Sequence, residues 1–106
     1  MAATEVRDNP GEHRYEITVD GRVAGFAVYY RDGDRVVLIH TEIAPSLGGQ
    51  GLGGELARQA LDDVARRELH VVPVCPFIAD YIGKHPEFQR LVVTPSADRV
   101  KVISDD

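Results

Sequence analysis

A histidine and a carboxylate stand just before the most glycine-rich stretch of this chain. His40 and Glu42 occupy alternate positions of a strand-like segment, so both side chains should project from one face. A carboxylate there can act as a general base, directly or through a water molecule, for a nucleophile that must lose a proton. The structural alternative is a solvated strand end, with His40 as a hydrogen-bonded wall residue. The pair is therefore a candidate for proton transfer.

The glycine-rich stretch runs from Ile43 to Gly54 and holds five glycines between a strand-like and a helix-like segment. Glycine lacks a Cβ atom, so backbone N–H groups can approach a ligand closely. The positive end of the following helix points at the same place, which favours an anion. The stretch predicts a phosphate cradle, and a flexible turn is the alternative.

A cysteine and a tyrosine flank the start of a later helix. Cys75 precedes Pro76, a favoured first helical residue, so Cys75 is predicted to be the N-cap, where a thiolate is stabilised. Free cysteines are more often small buried hydrophobic residues. Tyr81 could protonate a departing thiolate or could pack on the core. His85 could contact a ligand, carry a proton, or end the helix beside Pro86.

Three strands in a meander are predicted before the glycines. Residues 1–12 are polar and are interpreted as a flexible N-terminal tail. Strands are predicted over residues 13–19, 22–31 and 35–43, and the turns at Asp20-Gly21 and Asp32-Gly33-Asp34 favour positive φ. Alternation and β-branched residues support all three strands.

Helical periodicity begins after the glycines. Apolar residues repeat along one face from Gly51 to Arg67, and Asp63 and Arg67 form an i,i+4 pair suited to a solvated face. A buried strand over 69–75 then implies a right-handed crossover. Pro73 removes a donor from that strand, so the sheet is expected to open near it. A short helix over 77–84 and late strands at 91–93 and 99–103 complete the prediction.

Composition limits the class of protein. The chain has 106 residues, a net charge of -5, 43% hydrophobic residues and one cysteine. These values indicate a single globular domain over 13–106, without a disulfide and without general affinity for nucleic acid. The absence of a long apolar run and of a leader-like start predicts a cytoplasmic protein that does not bind membranes. The four histidines show no metal-ligand spacing, so no metal site is expected.

The assembled order of motifs resembles the small single-domain members of the Gcn5-related N-acetyltransferase superfamily. The resemblance rests on His40-Thr41-Glu42-Ile43, the glycine-rich loop with its helix, Cys75-Pro76-Phe77, and His85-Pro86-Glu87-Phe88. It covers roughly residues 15–91. It implies a mixed, mostly antiparallel α+β sheet with flanking helices, acetyl-coenzyme A as donor and an amine as acceptor.

The resemblance also implies roles for individual residues. Catalytic roles fall to four side chains, namely Glu42, His40, Cys75 and Tyr81. A backbone N–H near Ile43 or Ala44 would polarise the thioester. The pantetheine arm would lie between the strands that end near Ile43 and Cys75. The expected contacts with coenzyme A are Ile43, Ala44, Gly48, Gly49, Gln50, Gly51, Leu52, Gly53, Gly54, Cys75, Pro76, Phe77, Tyr81 and His85. Gly48 stands where the superfamily usually carries Arg or Gln, so that pyrophosphate contact is missing.

Two interpretations of function remain. The first is an N-acetyltransferase that acts on a small amine, a protein lysine or an N-terminus, by direct transfer or with Cys75 as a transient acetyl carrier. The second is a non-catalytic acyl-coenzyme A binding or sensor module, which the short chain and missing acceptor elements favour. The protein is expected to be a monomer or weak homodimer. A P-loop nucleotide site is excluded because no Lys-Ser or Lys-Thr follows the glycines.

Overall fold

The sheet is built from consecutive strands joined mostly by tight turns. In the computed structural model, which describes residues 3–45 and 51–93, the order across the sheet is β1-β2-β3-β4-β5. The elements are β1 (Thr4–Asn9), a 3₁₀ helix (Pro10–Glu12), β2 (Arg14–Val19), β3 (Arg22–Asp32), β4 (Arg35–Ile43), α1 (Leu52–Arg66), β5 (His70–Pro73), α2 (Pro76–Lys84) and a second 3₁₀ helix (Pro86–Leu91). Only β4 and β5 pair in parallel. The predicted mixed, mostly antiparallel fold is confirmed.

The two predicted tight turns form as expected. Asp20 and Gly21 have φ of 52° and 85°, and Gly33 has φ of 62°. Positive φ at both central residues matches the twist of the flanking strands, so β2 runs directly into β3.

The interpretation of residues 1–12 as a flexible tail is wrong for the part that the structure describes. Residues 4–9 form β1, which pairs antiparallel with β2 from Thr4 opposite Val19 to Asn9 opposite Arg14. The strand carries little apolar surface, with only Val6 packed against the core. Backbone hydrogen bonds to β2 hold it, and these do not depend on side-chain type.

A network of polar side chains fastens β1 and the meander to the C-terminal end of α1. The Tyr29 hydroxyl donates to Asp8, and the Tyr15 hydroxyl donates to Asp63 at 2.7 Å. Arg67 joins both carboxylates, at 3.1 Å to Asp8 and 3.0 Å to Asp63. The Asp63–Arg67 pair therefore forms as predicted, but it does not lie on a solvated face. Asp63 is mostly buried against the sheet.

One continuous core lies between the sheet and the two helices. The apolar face of α1 is buried through six side chains, namely Leu52, Leu56, Ala57, Ala60, Leu61 and Val64. Ile78 and Ile82 of α2 join the same cluster. Each fully buried aliphatic side chain contributes about 1.5–3 kcal/mol relative to exposure, so this cluster dominates the stability of the fold.

The late strand predicted at 91–93 is reduced to a bridge. Residues 86–91 form a 3₁₀ helix, and only Val92 forms a parallel bridge, opposite Val71. The Val93 N–H donates to the Val71 carbonyl at 3.0 Å. The strand predicted at 99–103 lies outside the described residues.

A β-bulge interrupts β4 in the middle. Val28 lies opposite His40, whereas Tyr29 lies opposite Leu38, so Ile39 is an extra residue on β4. A single extra residue reverses the inward and outward alternation beyond it. Leu38 faces the core before the bulge, and Thr41 and Ile43 face it afterwards.

Candidate active site

His40 and Glu42 lie together on the outer face of the sheet. His40 Nε2 lies 3.3 Å from Glu42 Oε2, and the two side chains are 58% and 60% exposed. Because side chains alternate beyond the bulge, His40 and Glu42 lie on the face away from that of Thr41 and Ile43, which turn toward the core. The prediction that the two side chains share one face is confirmed, and their exposure also fits the alternative of a solvated strand end.

The sheet opens next to this pair. The ladder between β4 and β5 runs from Arg35 opposite His70 to Leu38 opposite Pro73 and stops there. The Cys75 N–H closes it with a bond to the Leu38 carbonyl at 2.8 Å. Beyond Leu38, β4 continues for five residues, of which His40 to Ile43 pair with β3 and none pairs with β5 in the described part of the chain. The ladder thus ends at Pro73, near which the sequence predicts that the sheet opens, and the edge of β4 beyond Leu38 that faces away from β3 is called the slot.

Backbone groups of β4 point into this slot. The Ala44 N–H donates to the Ala24 carbonyl at 2.7 Å, on the side of β3. Successive N–H groups of a strand point to opposite edges, so the N–H groups of Ile43 and Thr41 face the slot. A backbone N–H of Ile43 or Ala44 is predicted to polarise the thioester carbonyl. The Ala44 N–H is bonded to Ala24, so of these two groups the Ile43 N–H is the one that faces the slot.

Cys75 occupies the predicted N-cap of α2 but makes no capping hydrogen bond with its side chain. Its sulfur lies 3.4 Å from the Thr41 hydroxyl oxygen, and the residue is only 3% exposed. The thiol therefore lies on the core side of the slot and contacts β4.

The N-terminus of α1 lies at one end of the site. Gly51 is the N-cap with φ of 75°, and the first bond inside the helix runs from the Glu55 N–H to the Gly51 carbonyl at 3.1 Å. The N–H groups of Leu52, Gly53 and Gly54 consequently lie outside the helical ladder, and the N-cap residue, a glycine, has no side chain to cap them. Gly48, Gly49 and Gln50 lie outside the described residues.

The three glycines at this turn, Gly51, Gly53 and Gly54, meet different structural requirements. Gly51 is required by its positive φ, a conformation that costs other residues. A Cβ atom on Gly53 would lie 2.9 Å from the Phe77 ring, so Gly53 permits α2 to pack closely. A Cβ atom on Gly54 would meet Tyr81 at an ordinary 3.8 Å. Packing therefore does not require the third glycine.

A carboxylate in the first turn of α1 is neutralised by its neighbours. Arg58 and Gln59 both donate to Glu55 at 2.5 Å. These bonds, that of Gln59 foremost, lower the pKa of the Glu55 carboxyl. The negative charge nearest the helix N-terminus is thus held by a cation one turn away, which reduces repulsion of an incoming phosphate.

Tyr81 and His85 form a stacked pair behind the helix N-terminus. Their ring centroids are 3.9 Å apart with an interplanar angle of 15°, and His85 Nδ1 lies 2.9 Å from the Tyr81 carbonyl oxygen. Burial raises the pKa of the Tyr81 phenol above its ordinary value of 10.0. Tyr81 therefore carries its proton at neutral pH.

The predicted site residues fall into two groups on opposite sides of the sheet. One group holds His40 and Glu42 on the outer face. The other holds Cys75, Phe77, Tyr81 and His85, next to the N-terminus of α1. No hydrogen bond or ion pair joins the groups across residues 3–45 and 51–93, so a ligand in the slot would connect them. Leu52 contributes its backbone, because its side chain is buried in the core.

Sequence reasoning missed two residues that the structure brings to the site. Thr41 was passed over between two polar neighbours, and the bulge turns it toward Cys75. Phe26 lies directly opposite Glu42 on β3. Counting along the β3–β4 hairpin from its turn could have paired residues 26 and 42, had the bulge been known.

Two classes of feature are missing from the described ranges. Within residues 3–45 and 51–93, no cluster of three or more His, Cys, Asp or Glu side chains is suited to a metal ion. None of the helices there is long and apolar enough to cross a membrane.

A family model described as GCN5-related N-acetyl-transferase matches residues 14–91. No match was found among curated proteins.

Two solved structures share the fold. One, from Staphylococcus aureus, was determined by NMR and is described as a GCN5-like N-acetyltransferase candidate. It has 21% identity and a TM-score of 0.64, with 88% of this chain and 91% of that chain covered. The other is the ribosomal-protein-S18-alanine N-acetyltransferase from Escherichia coli, with 18% identity and a TM-score of 0.55. That match covers 67% of this chain and 64% of the other.

Proposed function

Because this chain belongs to the GCN5-related N-acetyltransferase family, we propose that it moves an acetyl group from acetyl-coenzyme A to an amine, with Glu42 as general base. The observation that carries the proposal is the slot: the β4–β5 ladder stops at Leu38 and Pro73, and Glu42 follows on β4. Gly53, at the N-terminus of α1, lies next to Phe77 of α2, the helix that begins after β5. An extended donor in this slot would have phosphate-binding N–H groups at one end and a proton acceptor at the other.

The residues present suit coenzyme A. The free N–H groups of Leu52, Gly53 and Gly54 can bind a pyrophosphate, and a helix N-terminus favours negative charge. The outward-facing backbone of Thr41 and Ile43 can bond the amide groups of a pantetheine arm as an added strand would. Bound acetyl-coenzyme A supplies an electrophilic thioester carbonyl.

The acceptor amine must lose a proton before it can attack, and Glu42 can accept that proton. An alkylamine has a pKa near 10.4, so most of it is protonated and non-nucleophilic at pH 7. Glu42 can take that proton directly or through a water molecule, because its carboxylate is exposed on the outer face. General base catalysis of this kind contributes about 10²–10⁴ in rate.

The remaining steps use groups already in place. The amine nitrogen forms a bond to the acetyl carbon, and the carbon–sulfur bond of the thioester breaks. The Ile43 N–H is positioned to stabilise the carbonyl oxygen during this exchange. Coenzyme A leaves as a thiolate, which Tyr81 or solvent protonates. His40, 3.3 Å from Glu42, holds that carboxylate in place.

Direct transfer accounts better for the geometry than a Cys75 carrier. The thiol is buried on the core side and bonded to Thr41, whereas Glu42 faces the opposite side. An acetyl group on Cys75 would be shielded from an amine activated by Glu42. The cysteine is then a wall of the slot.

Calorimetry and mass spectrometry together test the proposal. The protein is titrated with coenzyme A and acetyl-coenzyme A, and the same sample is then incubated with a panel of amines and analysed for acetylated products. Binding with transfer supports an acetyltransferase. Binding without transfer favours a non-catalytic acyl-coenzyme A module, and no binding contradicts both.

A further inference from the structure

We propose that a groove at the end of the β3–β4 pair binds the acceptor, and that it selects a primary amine on an unbranched aliphatic chain. This inference rests on the proposed function. The groove has a volume of about 180 Å³ and lies beside Glu42. Val23, Phe26 and Pro45 are among the residues that line it.

Phe26 and Glu42 share one face of the sheet. They are directly opposite each other in the antiparallel β3–β4 pair. Residues so placed have Cβ atoms about 4.5–5.5 Å apart. An ammonium group that reaches the carboxylate therefore lays its methylene chain along the aromatic ring.

The floor of the groove is fixed by Gly25. A Cβ atom there would lie 2.6 Å from the Glu42 carbonyl oxygen and would also overlap the Ile43 side chain. Glycine thus lets β3 and β4 approach closely where the carboxylate emerges. The Ala44 N–H bond to Ala24 holds the same end of the pair together.

The lining is apolar apart from one charge. Val23 is 47% exposed, and Glu42 is the only ionisable residue that lines the groove in the described chain. A chain bearing hydroxyl or ether groups would lose water there without gaining partners. The groove therefore complements a single ammonium group on a methylene stem.

The ring of Phe26 is contacted from the side of β2, the strand that flanks β3 away from β4. The Arg14 guanidinium lies 4.6 Å from the ring centroid, and Arg14 Nε is bonded to Glu16 at 2.8 Å. A ring fixed by a neutralised cation offers a preformed surface, which lowers the entropy cost of binding a flexible chain.

The test compares two acceptors of equal length. Purified full chain with acetyl-coenzyme A is given n-hexylamine or 2-(2-aminoethoxy)ethanol, and kcat/KM is measured for each. We expect at least about tenfold preference for hexylamine, the scale of discrimination by a small apolar pocket. Val23→Ser and Phe26→Ala should each reduce that preference at least threefold. Val74→Ser, the same change at another exposed valine, should leave it unchanged.

A second comparison distinguishes a peptide lysine from a free alkylamine as the source of the primary amine. Nα-acetyl-lysine N-methylamide is assayed beside hexylamine, and the higher kcat/KM identifies either a peptide lysine or a free alkylamine. Transfer with no preference for hexylamine, or variants that keep the wild-type ratio, would overturn the groove and leave the proposed function standing. Failure to bind acetyl-coenzyme A, or binding without transfer to any amine, would overturn both.

Discussion

Thr41 and Cys75 touch across the point where two parallel strands separate, with 3.4 Å between the hydroxyl oxygen and the sulfur. Thr41 follows Leu38 on β4 and Cys75 follows Pro73, and Leu38 and Pro73 are the last pair of the β4–β5 ladder. The contact marks the inner end of the slot and keeps the thiol turned toward β4. From this position we expect Cys75 to line the slot rather than to act as a nucleophile.

Replacing the thiol should therefore leave transfer largely intact. Cys75→Ser keeps size and hydrogen bonding to Thr41, and we expect kcat to fall by less than about tenfold. A true covalent carrier would lose several orders of magnitude. Steady-state kinetics measures the change, and mass spectrometry of the wild-type protein with acetyl-coenzyme A alone should show no acetylated Cys75.

Glu42→Gln should lower kcat by about 10²–10⁴ and flatten the acidic side of the pH–rate profile, because the amide cannot accept a proton. Affinity for coenzyme A should stay within about twofold by calorimetry. The matched control is Glu5→Gln, the same change at an exposed carboxylate of β1. Identical pH profiles for wild type and Glu42→Gln would remove Glu42 as the base.

Gly54→Ala tests the phosphate cradle at the N-terminus of α1 without disturbing the packing of the helix. The added methyl group has ordinary contact with Tyr81, so the helix should keep its stability or gain up to about 1 kcal/mol. A methyl group beside the free N–H groups should nevertheless weaken coenzyme A binding about tenfold, equivalent to ~1.4 kcal/mol. Gly83→Ala in α2, where a Cβ atom meets nothing within 4 Å, is the control. Equal affinities for the two variants would contradict the cradle.

Asp8→Ala should destabilise the fold by about 1–3 kcal/mol in chemical denaturation, because it leaves the Tyr29 hydroxyl without its acceptor and Arg67 paired with Asp63 alone. Asp80→Ala removes only an exposed pair with Lys84 and should cost less than about 1 kcal/mol. A similar loss for both would show that the β1–α1 network adds nothing specific.

Glu16 should make stability depend on acid. Its hydrogen bond from Arg14, aided by one from Asn9, lowers the pKa of this carboxyl below its ordinary value of 4.5. A lowered pKa in the folded state stabilises the fold above the unfolded pKa, and that contribution is lost as the pH falls below about 4.5 and through the folded pKa. Denaturation curves of Glu16→Gln from pH 7 to acid should therefore show a shallower decline than wild type. Parallel curves would contradict this role.

The helices and most strands could be predicted from local sequence patterns, whereas several contacts that hold the fold together could not. The helix at 52–66 and the strand at 35–43 were predictable because apolar spacing reports burial directly. β1 was missed because an edge strand needs few apolar residues. The Asp8–Tyr29 bond joins residues 21 apart, and no local pattern encodes such a distance.

The candidate site was predictable as a set of residues more than as an arrangement. Glu42, His40, the glycine turn and the Cys75 N-cap could be chosen by residue type and neighbours. Their division between two faces could not, because it depends on the bulge at Ile39, and alternation alone allows either phase.

The extra residue in β4 also sets a rule for how this strand can change. Removing Ile39 would restore a regular ladder, with Leu38 still opposite Tyr29 and His40 still opposite Val28, so Thr41 would stay toward the core and Glu42 toward solvent. Losing the bulge while keeping Ile39 would instead turn Glu42 into the core and Thr41 to solvent. Changes of strand length at this position are therefore tolerated only where a bulge forms or closes to absorb them.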